Sequence, residues 1–219
     1  MIVSERFGDF VDCLDEGFSP ELEELYEKAL EEGVPVIRRQ TASLIRFILT
    51  EKDPRHILEI GTAVGFSALF MSEHVSGDSS VTTIEKVPAR IAQAKENFAR
   101  FDRAGMITLL EGDACDILKG LEDESFDMIF MDAAKGQYLN FLPDVKRVLV
   151  PGGILISDNV LSDGQIIQSR FAVTRRDRTI HKRMREYLFE ICHDRELVTC
   201  VLTVGDGTAL TYRKGKKKC

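Results

Sequence analysis

Residues 126–141 read FDMIFMDAAKGQYLNF, an apolar run that stops at Asp132 and is followed three residues later by Lys135. A carboxylate and an amine beside one strand end can hold a cation, meet an ammonium group or move a proton. The pattern recurs along the chain. HILEI carries Glu59, VTTIE ends in Glu85, ITLLEGD ends in Asp113, and GGILISDN delivers Asp158 and Asn159. Five successive strand-like runs thus bring an acid to their carboxyl end. A hydrophobic core requires none of them. Each acid alone could cap the helix that follows it; the row as a set points to a site.

The loop after the first run, GTAVGFS, asks which nucleotide would bind. A dinucleotide fingerprint is G-x-G-x-x-G, but here Gly61 is followed by Ala63 and Phe66 at the other two positions. Glu59 beside the loop would repel a pyrophosphate. A cofactor with a positive end would be welcomed, and S-adenosylmethionine carries an ammonium and a sulfonium with no phosphate, so Glu59 and Gly61 are candidate cofactor-binding residues. Glu85, 24 residues after Gly61, is placed to accept hydrogen bonds from both ribose hydroxyls, and Asp113 and Ala114 fall where an adenine would lie. Asp132, Asp158 and Asn159 are hard oxygen donors from neighbouring strand ends and suit Mg²⁺. Such a metal acidifies a coordinated hydroxyl. Lys135 could then accept or steer the released proton. A surface lysine and helix-capping acids are the plainer alternatives.

The elements that must position these residues alternate in type. Short continuous apolar runs are followed by helical patterns such as PARIAQAKENFARF, with Pro88 suited to a first helical turn. Strand–helix alternation predicts right-handed βαβ units and a mostly parallel sheet covered by helices on both faces. LVTCVLTV and GTALTYRK are separated only by GDG, which permits a hairpin but no parallel crossover. The expected fold is therefore a seven-stranded, Rossmann-like α/β sheet with an antiparallel last strand. Residues 1–50 read as helices laid before the sheet, 55–214 as its core, and 1–219 as one domain.

Composition sets the outer limits. The chain has 219 residues, 44% hydrophobic, enough for one sizeable core. No apolar run is long enough to span a membrane, and the start MIVSERFGDFVDCLDE does not resemble a signal peptide. The five cysteines include no CxxC pair. A cytoplasmic protein with reduced thiols is the expectation, and the four histidines lack zinc-ligand spacing. Net charge is −7, mildly against a nucleic-acid partner. The distribution is uneven, however. Acids crowd the first 32 residues, whereas Arg170, Arg175, Arg176, Arg178, Lys182, Arg183 and Arg185 cluster further on. Arg213, Lys214, Lys216, Lys217 and Lys218 form a basic tail. Such stretches are candidate phosphate contacts or merely solvated faces.

Together ILEIGTAVGFSALFM, VTTIEK, EGDA, FMDAAKGQY, PGGILISDNVL and VGDGTAL resemble the metal-dependent O-methyltransferases, the group of catechol and caffeoyl-CoA O-methyltransferases, over about residues 34–212. VPVI, DAAKGQY and DNVL are most similar to its bacterial tRNA 5-hydroxyuridine methyltransferase branch. The resemblance implies that Ile37, Ser67, Glu85, Asp113, Ala114 and Asp132 hold S-adenosylmethionine. It implies that Asp132, Asp158 and Asn159 hold Mg²⁺ and that Lys135 is the catalytic lysine. It further implies a tRNA anticodon loop as partner, 5-methoxyuridine as product, and a homodimer. The segment 169–187 varies within the group and is not aligned residue by residue. A small catechol-like or acyl-CoA-linked phenolic substrate is the alternative; a nicotinamide dehydrogenase is disfavoured by the failed glycine pattern.

Overall fold

The computed structural model describes residues 5–102, 104–169 and 171–215. Three helices come first: α1 (Glu5–Asp12), α2 (Pro20–Glu31) and α3 (Arg39–Lys52). The sheet then alternates with helices: β1 (His56–Ile60), α4 (Phe66–Glu73), β2 (Ser80–Glu85), α5 (Pro88–Phe101), β3 (Ile107–Glu111), α6 (Ala114–Gly120), β4 (Phe126–Met131), α7 (Tyr138–Val148) and β5 (Leu149–Ser157). Helix α8 (Arg178–His193) leads into the terminal hairpin, β6 (Leu197–Leu202) and β7 (Thr208–Arg213).

The seven strands lie in the order β3-β2-β1-β4-β5-β7-β6. β1 to β5 pair in parallel, and β7 inserts antiparallel between β5 and β6. The short GDG connection accounts for the antiparallel pairing of β6 with β7. The hairpin must fold back, so one of its strands opposes the parallel set. This is the architecture expected from the sequence, including the antiparallel last strand.

Both faces of the sheet are covered, which explains why its central strands read as unbroken apolar runs. On β4, Ile129 and Met131 pack with Leu58, Tyr138, Val145 and Tyr187 on one side. Met128 and Phe130 pack with Ile45, Leu49, Phe66 and Phe70 on the other. α2 and α3 belong to this second layer through Leu22, Leu25, Tyr26, Ile45 and Leu49. No helix among the described residues is long and apolar enough to cross a membrane.

Strand order reverses between β1 and β4, where the chain leaves β1 for β2 on one side and returns to β4 on the other. A crevice opens at such a point beyond the carboxyl ends of the strands. All the acids singled out in the sequence converge on this end of the sheet.

Candidate active site

The cleft over the strand ends has a volume of about 500 Å³. Gly61 opens its floor. This residue has φ +107°, and a Cβ there would stand 2.1 Å from the Asp132 carbonyl oxygen. Only glycine lets β1 turn while the next strand end passes this close. The ladder continues into the loops: the Asp132 amide donates to Ile60 O and the Asp158 amide to Met131 O, each at 3.0 Å. The two aspartates are therefore carried on adjacent strand extensions.

Ile37, Gly61, Ser67, Glu85, Asp113, Ala114, Asp132, Lys135 and Asn159 all line the cleft. Glu59 does not. It is fully buried beneath the loop, where the Ser67 and Thr83 hydroxyls donate to its two oxygens. Thr62 extends the chain, its hydroxyl 2.6 Å from that of Thr83. Burial pushes the Glu59 carboxyl up to about 7, against the opposing effect of the Ser67 and Thr83 hydrogen bonds. Glu59 is thus a strut under the Gly61 loop, because its position inside β1 turns it into the interior. The expectation of a direct cofactor contact is corrected on that point. The Ser67 hydroxyl is likewise spent on Glu59, so what Ser67 offers the cleft is the backbone amide of an α4 first turn, which lacks an intrahelical partner.

Glu85 already has a structural task. Its carboxylate accepts from the amides of Ala63 at 3.0 Å and of Lys86 and Val87 at 2.8 Å. A carboxylate has about four acceptor positions, so capacity remains for one strong further donor. The expectation that it takes both ribose hydroxyls is narrowed accordingly. Asp113 combines the two roles weighed for it: it caps α6 by accepting from the Cys115 amide at 2.9 Å, and it lines the cleft. That amide, with the Lys86 ammonium, holds its carboxyl below the usual range.

At the other end of the cleft, Asp132 is half-buried and lines the cavity, whereas Asp158 is buried. Burial and then mutual repulsion raise the Asp132 carboxyl. Burial and the neighbouring Asp206 raise that of Asp158, opposed by the Asn159 amide and the Thr208 hydroxyl. Asp158 lies 1% exposed behind the cleft wall, accepting from Thr208 at 3.1 Å. Asn159 adopts φ +56° and donates its side-chain amide to Asp206. Its carbonyl oxygen is left over as an acceptor. Lys135 Nζ lies 3.7 Å from Asp206 Oδ2.

Asp206, Thr208, Tyr138 and Thr83 escaped sequence reading as site residues. Asp206 sits in VGDGTAL, where a hairpin turn accounts for an acid equally well. Tyr138 is fully buried, with its hydroxyl 3.0 Å from Met131 O and 3.1 Å from Asp158 O. It fastens the two strand ends that deliver the aspartates. In the sequence it reads only as the apolar start of a helix.

The basic stretches are divided by the fold. Arg213 donates to Leu149 O and pairs with Glu124, and Lys214 donates to Arg195 O. They fasten the sheet edge and are not free phosphate contacts. Arg170, Lys216, Lys217 and Lys218 lie outside the described residues. Arg175, Arg176 and Lys182 are exposed. The acidic N-terminal third is partly neutralised within the chain, by Glu23–Arg39, Glu24–Arg100 and Asp15–Arg46 pairs.

A profile of the O-methyltransferase family matches residues 16–214, and the chain belongs to that family. A catechol O-methyltransferase from Niastella koreensis is 34% identical over 116 residues, 52% of each chain. The chain therefore spans about half the length of that curated relative. A caffeoyl-CoA O-methyltransferase candidate from Staphylococcus aureus has a similar solved structure, 30% identical, with a TM-score of 0.88 over 96% of this chain and 100% of that one. The Podospora anserina methyltransferase PaMTH1, solved with SAH bound, is 26% identical, with a TM-score of 0.85 over 98% of both chains.

Proposed function

We propose that the protein transfers a methyl group from S-adenosylmethionine to a hydroxyl oxygen in a divalent-metal-dependent reaction, and that its acceptor is 5-hydroxyuridine at the tRNA wobble position. The observation that carries the chemistry is the meeting of Asp132, Asn159 and Lys135 at one end of a cleft, with Asp158 buried behind them, while Glu85 and Asp113 line the other end. Family membership and the SAH-bound relative support the methyl donor.

The residues fit a hard divalent cation. Burial and the repulsion of Asp158 raise the Asp132 carboxyl, and burial and the repulsion of Asp206 raise that of Asp158. A cation would relieve that repulsion, and the Asn159 carbonyl oxygen supplies a neutral third donor. Among the described residues no three His, Cys, Asp or Glu side chains form a complete metal-binding group. Two carboxylates and an amide suit Mg²⁺, which commonly keeps water or substrate in its other positions. Bound there, the metal would act as a Lewis acid and favour the ionised acceptor oxygen.

The chain's own residues supply the rest. Glu85 offers its remaining acceptor position to a ribose hydroxyl, and Asp113 and Ala114 border the adenine end. Ile37 and Ser67 also line the cavity, and Asp132 would face the donor's ammonium. Lys135, the amine beside Asp132, takes or steers the acceptor proton. The acceptor oxygen forms the new bond to the methyl carbon while the carbon–sulfur bond breaks, its electron pair leaving with sulfur to give a neutral thioether. The proton leaves through Lys135 to solvent.

The 5-hydroxyl and 4-carbonyl of 5-hydroxyuridine are neighbouring oxygens, as in a catechol. A wobble base lies in a single-stranded loop and is already accessible, and the exposed Arg175, Arg176 and Lys182 favour a polyanion. The catechol relative favours a second reading, a small phenolic acceptor. Nucleoside mass spectrometry of tRNA from a deletion strain separates the two. Loss of 5-methoxyuridine with accumulation of 5-hydroxyuridine is expected; unchanged 5-methoxyuridine in a strain with no redundant enzyme would exclude the tRNA reading. Exposed Phe7, Phe10 and Phe47 on α1 and α3 support pairing of two copies through the N-terminal helices.

A further inference from the structure

We infer that Arg183 is a positioning residue that holds the catalytic-lysine turn against α8, an inference that rests on the role proposed for Lys135. In sequence, Arg183 belongs to a uniform basic stretch. In the fold its guanidinium points inward: Nη1 donates to the Gly136 carbonyl at 2.8 Å and Nη2 to Asn140 Oδ1 at 3.1 Å. Asn140 in turn donates from Nδ2 to Gln137 Oε1 at 2.6 Å.

The turn needs that support. Residues Lys135–Gln137 form a single 3-10 turn with no buried residue and no side-chain cap. Gln137 N donates to Ala134 O at 2.8 Å where the turn begins. So short a segment does not hold its own geometry. The Lys135 ammonium meets Asp206 at 3.7 Å and acts on Asp132 and Asp158 through space, contacts too long to fix the backbone of the turn. Arg183 supplies charge-assisted bonds to a backbone carbonyl and a side-chain amide at once, a fork that a lysine cannot reproduce. Gly136 also lies 3.9 Å from Ile180 Cγ1, measured from where its Cβ would be, so the turn rests on the same helix. Lys135 and Gln137 both line the cleft. The donor-side residues Ile37, Glu85 and Asp113 sit on other elements and do not depend on this brace.

Loss of Arg183 is therefore expected to lower turnover and leave cofactor binding intact. The test compares Arg183→Ala, Arg183→Lys and the exposed α8 control Glu190→Ala in the full chain. It measures SAH affinity by calorimetry, kcat at saturating S-adenosylmethionine with 5-hydroxyuridine-containing tRNA and with a catechol, thermal melting, and amide exchange of residues 134–138. For Arg183→Ala the expected result is a kcat reduced on the order of tenfold to a hundredfold, SAH affinity within about twofold of wild type, and faster exchange confined to 134–138. Arg183→Lys should fall between, and Glu190→Ala should match wild type. Wild-type kcat with unchanged exchange would overturn the inference. So would a parallel fall of melting temperature, SAH affinity and kcat, which marks a general structural role. Should the wild-type protein methylate neither acceptor, the functional reading fails, and the exchange data alone then decide the brace: faster exchange at 134–138 upholds it and unchanged exchange removes it.

Discussion

Glu59 shows how one residue can mislead and then inform. Read in sequence, it is a charge beside a cofactor loop. In the fold it is a buried strut under that loop, its carboxyl raised from 4.5 to about 7. The folded state therefore keeps a proton that the unfolded chain releases between about pH 4.5 and 7. Native stability derived from this group is full below the lower value and is lost as pH rises to the upper one. Glu59→Gln, a permanent mimic of the protonated acid, should remove that dependence. Between pH 5 and 8 the wild-type protein should lose on the order of 3 kcal/mol relative to the variant. Urea titrations at the two pH values measure this, and a difference that does not change with pH would contradict it.

At the scale of elements, the strand ends form the site because two devices keep them in register. Gly61 lets the β1 loop pass under the Asp132 carbonyl, and Tyr138 fastens the ends of β4 and β5. Gly61→Ala should cost more than ~2 kcal/mol, from backbone strain and the collision together. Chemical denaturation would register it, and a stability equal to wild type would count against the close approach. Tyr138→Phe leaves two carbonyls without this donor and should cost about 1–2 kcal/mol. Methyl transfer should fall further than that stability loss explains, because the aspartates lose register. The strands themselves were legible in sequence because continuous apolar runs have few other uses. The hairpin was legible because GDG is too short for a crossover. Glu85, Asp113 and Asp132 were legible for a related reason, since acids that close apolar runs seldom serve a core. What escaped was the meeting of distant segments. Nothing in Tyr138, Thr83 or Asp206 announces a partner 20 or more residues away, and Glu59 and Ser67 needed the fold to show that they satisfy each other. Arg183 was hidden among like charges, and only its bonds to the Lys135 turn and Asn140 separate it from them.

At the scale of the whole molecule, the charge distribution is the feature to test. The net charge of −7 is concentrated in the N-terminal third, and part of it is paired within the chain. Arg175, Arg176 and Lys182 are left exposed on the α8 side, the same side that braces the Lys135 turn. If an anticodon stem-loop lies there, Arg175→Glu with Arg176→Glu should weaken tRNA binding at low salt. The slope of log affinity against log salt should shrink by roughly one for each phosphate that the two arginines neutralise. Binding that is insensitive to salt in the wild-type protein would remove the polyanion surface.

The proposed reaction joins donor, metal and acceptor in one cleft, and reconstitution tests all three together. Purified protein is incubated with methyl-labelled S-adenosylmethionine and tRNA bearing 5-hydroxyuridine, with Mg²⁺ or with a chelator, beside the Asp158→Ala variant. Label should appear in 5-methoxyuridine with Mg²⁺ alone, and fall at least a hundredfold on chelation or in a folded Asp158→Ala protein. Equal labelling with and without the metal, or no label in tRNA under any condition, would contradict the proposed reaction.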